Sequence, residues 1–475
     1  MTKRWQLFIV FIGVAWLSFN TFFLPFFPWS TGIVRTWLLL SGYLPYRDLT
    51  WLRTPLDLFL LGGWFKIFGI SDIGYQIFIY IILLLTAGTI YVIGNKLFRN
   101  MGFIPFLIYV LFISPLFQSA EMGEVIISFF AILLFGFILL YYDRKNYLYL
   151  FISGIICGII LITKQNSGVV VLAVGATLAL DVYLKKSFKV LFKSFLFLIA
   201  GFSIPLLTLI FYYFFQKGLE DLIYYTIIVV LGDYRMEPIP QGYSLGDGMW
   251  IEYAYISLLI PFVLFFRKTG LSLQKIIFIT LLIIFLSLSL LPSFLSYRAI
   301  TSFPIVSIVA AYDILIFQKL KKNYKIGKLI LIISFILFFV FISRFLNSYS
   351  STIKEEGFNF ANLIRDYGSP EYKTALWIKK NTREDEKIIS ITHPIVYFLS
   401  NRFPKNKYID TNPNMFYPFE KTTKIFIEDP PKIVVFEEDL IEHYPHYARW
   451  PFYQYFRKNY ILREKFGQLS IYELP

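Results

Sequence analysis

The chain has 475 residues, of which 57% are hydrophobic, 20% aromatic and only 16% charged, with a mean hydropathy of +0.62. Soluble domains run near half apolar and about a quarter charged, so an ordinary cytosolic enzyme, a disordered chain and a disulfide-built module are excluded; the single cysteine, Cys157, lies inside an apolar run. The net charge of +14 is not a nucleic-acid footprint: up to Ser348 there are 27 Lys and Arg against 14 Asp and Glu, and beyond it 18 against 17, so the basic excess belongs to the apolar part.

Apolar runs suited to crossing a bilayer are predicted at 5–26, 74–95, 101–117, 125–142, 148–163, 168–184, 190–215, 251–266, 276–292, 301–318 and 329–347. The charges test this reading. With Lys3 and Arg4 on the cytoplasmic side, the loops on that side carry 18 basic residues and three acids (Asp143, Asp181, Asp313), and the other side nine basic residues and eleven acids. That asymmetry obeys the positive-inside rule. Asp181 and Asp313 read as boundary residues beside basic clusters. The first run is longer than a signal-peptide core and lacks a small-residue cleavage site, so it reads as a retained helix.

Two outer segments exceed a simple connector. Residues 27–74 are half-apolar and punctuated by Pro28, Pro45 and Pro55, with short surface helices predicted at 33–40 and 56–68. Residues 217–250 carry Asp233, Arg235, Glu237 and Asp247 among Gly and Pro. Beyond Ser348 the composition turns soluble. A helix is predicted at 370–381 with Ala375, Leu376 and Trp377 facing inward, strands at 388–392, 407–410, 432–436 and 469–472, and helices at 393–401 and 453–459. The expected architecture is an all-α polytopic membrane domain of about 11 helices over 1–348, followed by a small extracytoplasmic α/β domain over 349–475.

Ionisable groups near lipid are costly, so their clustering at the outer face is informative. The first outer loop offers Arg35, Arg47, Asp48, Arg53 and Asp57; the loop after the third run offers Glu121 and Glu124; the turn after the fifth offers Lys164, Gln165 and Asn166; the turn after the ninth offers Arg298. Opposed carboxylates and cations on one face can bind an anionic lipid head and activate a hydroxyl. Each has a bland reading beside it. Asp48 can brace its loop by pairing with Arg47 or Arg53, Asp57 can cap its helix, Glu121 and Glu124 suit a helix N-terminus, Lys164 and Arg298 can snorkel to the interface, and Arg235 can be merely solvated. His393, His443 and His446 fall in the soluble tail and complete no zinc pattern.

Several stretches resemble the GT-C type of integral-membrane glycosyltransferase, the group that includes protein O-mannosyltransferases and the aminoarabinose transferases of lipid A. They are Gly42-Tyr43-Leu44-Pro45-Tyr46-Arg47-Asp48, Thr54-Pro55-Leu56, Phe68-Gly69-Ile70-Ser71, the Lys-bearing turn Thr163-Lys164-Gln165-Asn166-Ser167-Gly168, and the turn from Tyr297-Arg298 to Pro304. In the tail they are Ala375 to Thr382, His393-Pro394 and Asn401-Arg402. The resemblance implies transfer of a sugar from a polyprenyl-phosphate donor to a glycan, lipid or protein acceptor on the extracytoplasmic side of the plasma membrane, with inversion. It implies a carboxylate base drawn from Asp48, Asp57 and Glu121, and donor-phosphate binding by Lys164, Arg298 and Arg235. No cofactor is implied with certainty, and a divalent metal stays open with unknown ligands.

One departure stands out. The family usually carries an acid early in the first outer loop, where this chain reads Phe27-Pro28-Trp29-Ser30-Thr31-Gly32. Either Asp48 or Asp57 has taken the role, or the protein is a divergent member with altered or lost activity that binds polyprenyl phosphate. A lipid or sugar transporter is the remaining alternative, which the absence of an internal repeat and of polar groups at mid-membrane depth disfavours.

Overall fold

The computed structural model describes residues 3–23, 30–51, 53–113, 122–185, 188–233, 245–288, 296–320, 325–356, 366–391, 393–407, 419–439, 441 and 451–475. By internal contacts the chain divides into two compact units. One comprises Met1–Phe27, Gln76–Ile210 and Leu245–Ala361, and the other Pro28–Tyr75, Phe211–Ser244 and Asn362–Pro475. Both long outer segments group with the C-terminal stretch.

Every apolar run predicted from sequence carries a helix. Those helices are Lys3–Phe23, Asp72–Leu97, Phe103–Phe112, Met122–Arg144, Tyr147–Thr163, Val170–Lys185, Phe188–Phe215, Leu245–Leu264, Leu273–Leu288, Phe303–Lys319 and Lys325–Glu356. Among the described residues five are long and apolar enough to cross a membrane, and others are shorter apolar helices. The protein is an integral, multi-pass membrane protein.

The Met122–Arg144 helix is buried around most of its circumference, as expected for a central helix that is apolar on all sides. Peripheral helices expose large apolar side chains such as Phe11, Leu85, Val92 and Phe192, the surface a lipid environment covers. One helix contact is dictated by glycine. In Tyr147–Thr163, Gly154 and Gly158 sit four apart, and Gly201 faces them from Phe188–Phe215. A Cβ on Gly154 would stand 2.1 Å from the Leu198 carbonyl oxygen, and one on Gly201 2.0 Å from that of Phe151. Small residues let the two backbones touch where there is no hydrophobic drive between apolar helices. Buried Cys157 lies between the two glycines.

The second unit is built on a four-stranded sheet of order β1-β2-β4-β3, with β1 (Ile389–Ser390), β2 (Ile433–Glu437), β3 (Ile461–Phe466) and β4 (Leu469–Glu473). β1 runs parallel to β2, and the other pairs are antiparallel. Alternation along the strands separates two cores. Ile433, Val435, Leu469 and Ile471 pack with Ile378, Ile395 and Val396, and with Val34, Leu38 and Leu49 of the first outer loop. Val434, Phe436 and Tyr472 face Phe426, Phe452 and Phe456 on the opposite side. The helix Ser30–Leu40 thus helps build the sheet's core, its Trp37 stacked on Phe403 at 5.1 Å. β3 and β4 join through a two-residue turn whose Gly467 adopts φ +57°, a conformation glycine takes without cost.

Several sequence expectations need correction. The Pro370–Asn381 helix forms as predicted, capped by the Ser369 hydroxyl on the Tyr372 N–H, but its inward residues are Thr374, Ala375 and Ile378; Leu376 is exposed and Trp377 half-buried. Asp313 is no boundary residue: it is fully buried, and neither carboxylate oxygen has a hydrogen-bond partner among the described residues. Residues 408–410 of the predicted strand at 407–410 lie outside the described residues. β3 was not expected, because its exposed Arg463-Glu464-Lys465 has no apolar alternation, the look of a protected edge strand.

Candidate functional site

In the membrane unit the structure brings together two residues that lie forty positions apart. Glu124 stands in the first turn of Met122–Arg144, where the helix dipole favours an acid. Lys164 ends Tyr147–Thr163 by turning extended (φ −158°, ψ 117°), after which a 3-10 turn, Gln165–Val169, leads into Val170–Lys185. Its Nζ forms an ion pair with Glu124 Oε1, and the side chains are 7% and 0% exposed. Such a pair survives burial only because each charge compensates the other.

Arg298 lies on a second 3-10 turn, Ser296–Thr301, which packs on Met122–Arg144 and on Leu245–Leu264. Its side chain is outside the described residues, as are Glu121 and Arg235 altogether. Tyr255 on Leu245–Leu264 donates to the Ala299 carbonyl at 3.1 Å and fixes the turn to that helix. One turn earlier, Glu252 is buried beside Ser287. Sequence reasoning passed over Glu252. The available signal was an acid inside an apolar run, between Ile251 and Tyr253.

In the second unit the Gly42–Asp48 stretch closes on itself. Asp48 accepts from the Leu44 N–H at 2.8 Å and takes the Arg47 guanidinium on both oxygens, at 3.0 and 2.7 Å. Partial burial pushes the Asp48 carboxyl up, but the Arg47 and Leu44 hydrogen bonds outweigh it and hold the group below the usual carboxylate range. Asp48 is therefore an ionised brace and a weak base. Arg47 also donates to the Gln216 carbonyl at 2.9 Å, and Tyr46, at φ 69°, packs between Tyr213 and Tyr225. Lys407 reaches Asp221 at 3.3 Å, while its carbonyl accepts from the Thr50 N–H at 2.9 Å.

Asp57 is different. It lies in the first turn of Leu56–Phe68, is 5% exposed, and accepts from the Leu58 N–H at 2.8 Å; the helix N-cap itself is Pro55. Arg35 is buried with its guanidinium 4.2 Å from the Trp51 ring centroid, a cation–π contact that compensates lost hydration. Among the described residues no three His, Cys, Asp or Glu side chains gather as a metal site. His393 is held instead by two carboxylates, Nδ1 by Glu371 at 3.1 Å and Nε2 by Glu437 at 3.2 Å. Burial alone would lower its pKa, and the two acids reverse that and raise it to about 9. His443 and His446 are outside the described residues.

No protein-family model matches the sequence, and no curated protein matches it. Solved structures do match in shape. ArnT from Cupriavidus metallidurans in the apo state aligns over 99% of this chain and 98% of its own, at 10% identity and a TM-score of 0.60. The same enzyme bound to undecaprenyl phosphate aligns over 99% and 98%, at 11% identity and a TM-score of 0.57. The oligosaccharyltransferase of Archaeoglobus fulgidus, in complex with Zn and sulfate, aligns over 98% of this chain and 73% of its own, at 13% identity and a TM-score of 0.50. From end to end, the chain has the fold of the GT-C-type integral-membrane glycosyltransferases.

Proposed function

We propose that the protein is a membrane glycosyltransferase that moves a sugar from a polyprenyl-phosphate donor to a glycan, lipid or protein acceptor. The observation that carries this reading is the buried Glu124–Lys164 pair on a fold shared along its whole length with a transferase solved with undecaprenyl phosphate. Buried charges inside an apolar helical body are expensive and mark functional positions by default. The charge asymmetry of the loops supports a cytoplasmic N-terminus, with the transfer on the opposite side.

In the proposed reaction the acceptor hydroxyl attacks the anomeric carbon, the bond from that carbon to the phosphate oxygen breaks, and the electron pair leaves with the lipid phosphate. A carboxylate takes the hydroxyl proton. Cations stabilise the charge that develops on the phosphate. Single displacement inverts the anomeric configuration. We assign the phosphate contacts to Lys164, Arg298 and Arg235. Of the acids Asp48, Asp57 and Glu121, we take Asp57 as the base to test first, because Arg47 and the Leu44 N–H hold Asp48 ionised and weakly basic.

Transfer assays in membranes carrying Asp57→Asn and Asp48→Asn separate the roles. Loss of transfer in Asp57→Asn by about 100-fold or more, with donor lipid still bound, fits a general base. Unchanged transfer in both variants overturns the assignment. A second reading, a polyprenyl-phosphate-binding member without transfer activity, is favoured by the acid-free stretch from Phe27 to Gly32. It predicts donor lipid bound and no transfer in the wild type.

A further inference from the structure

The Met122–Arg144 helix ends twenty residues beyond Glu124, about 30 Å along its axis and therefore one hydrocarbon thickness away. There an open surface cavity of about 640 Å³ has Arg144, Lys145, Tyr147, Phe151, Lys193 and Phe197 among its lining residues. Three cations line it and no acid does. The neighbouring acid, Asp143, is already committed to Lys96 at 2.8 Å and to Lys275.

The cations are held in place. Lys145 adopts a left-handed backbone (φ 54°) in the two-residue turn between helices and lies over Tyr142, its Nζ 4.7 Å from the ring centroid. Arg144 donates to the Tyr149 hydroxyl at 2.9 Å. Lys193 lies over Tyr147 at 4.6 Å, and Tyr147 in turn stacks on Phe197 at 5.5 Å. The two helices that supply most of the wall, Tyr147–Thr163 and Phe188–Phe215, approach backbone to backbone at Gly154 and Gly201.

We propose that this cavity binds the phosphate headgroup of an anionic phospholipid in the adjoining leaflet. Charge complementarity selects an anion. Lipid is selected over a soluble anion by what lies beside Lys193: Phe192, Leu196 and Ile199 recur at helical spacing on the same helix and are exposed, a strip that acyl chains cover. The inference is independent of the transferase reading, because this end of the helix carries none of the residues assigned to transfer.

The full-length protein in mild detergent, stripped of lipid and offered phosphatidylglycerol or phosphatidylcholine, is read by native mass spectrometry. One retained phosphatidylglycerol that excess inorganic phosphate does not displace is the expected result. Removing charge in Lys145→Gln/Lys193→Gln weakens it about fivefold per residue. Lys145→Arg/Lys193→Arg keeps it, and so does Lys268→Gln/Lys325→Gln, which removes the same charge elsewhere. Equal retention of phosphatidylcholine, displacement by inorganic phosphate, or equal loss in the two glutamine pairs overturns the proposal. Lys193→Gln alone, at an exposed position, carries the test should the pair fail to fold.

Discussion

Replacing Lys164 by methionine keeps the stem of the side chain and removes the ammonium from a wholly buried Glu124. Breaking a buried pair from one side costs about 3–5 kcal/mol, because the remaining charge stays out of water. By the unfolding entropy per residue of folded proteins, that is a fall of roughly 3–5 °C in apparent melting temperature for a chain of 475 residues melting as one. Adding Glu124→Gln removes the stranded charge, and the double variant should return to within about 1–2 kcal/mol of wild type, a coupling of at least about 2 kcal/mol. Thermal melting of the four purified proteins gives the cycle, and lipid binding read on the same samples separates structure from function. A double variant that is stable but no longer retains polyprenyl phosphate places the Lys164 charge on the donor. A single Lys164→Met loss below about 1 kcal/mol, or a double variant no better than the sum of the singles, refutes the reasoning.

His393, raised to about 9 from its ordinary 6.5, contributes stability that is complete below about pH 6.5 and is lost as pH rises through about 9, at most about 3 kcal/mol; the melting difference between wild type and His393→Gln should shrink accordingly, and a difference constant across that range contradicts it. Asp313→Leu removes a buried carboxyl with no hydrogen-bond partner among the described residues and should stabilise by about 1–3 kcal/mol, whereas a fall in melting temperature would show that the carboxyl is needed. Gly154→Ala drives a methyl into the Leu198 carbonyl and should cost about 1–3 kcal/mol or more, while Gly88→Ala, with open space around its Cβ position, should be neutral or slightly stabilising on the same melts.

The helices of the membrane unit were legible because each coincides with an apolar run in the sequence, the longest of which declare themselves as membrane-crossing. The sheet domain was legible where a strand is a continuous apolar run buried on both faces, as in Ile433–Glu437, and lost where an edge strand faces water, as in Ile461–Phe466. Local pairings such as Arg47 with Asp48 follow from adjacency. Glu124 with Lys164 does not: it depends on the packing of Met122–Arg144 against Tyr147–Thr163, which sequence spacing alone does not specify. The enlistment of Val34 and Leu38 into the sheet's core was hidden for the same reason, since more than three hundred residues separate them from the strands. Sequence reasoning passed over the four-residue spacing of Gly154 and Gly158, and nothing in the sequence names Gly201 as their partner.

The proposed transfer requires that the protein hold a polyprenyl phosphate. Native mass spectrometry of the protein gently extracted from its host membrane tests it directly, with Lys164→Ala and Arg298→Ala alongside. The expected result is a co-purifying polyprenyl phosphate or its glycosyl form in the wild type, lost from both variants, with any attached sugar identified by its mass. A wild type that retains ordinary phospholipids and no such lipid would contradict it.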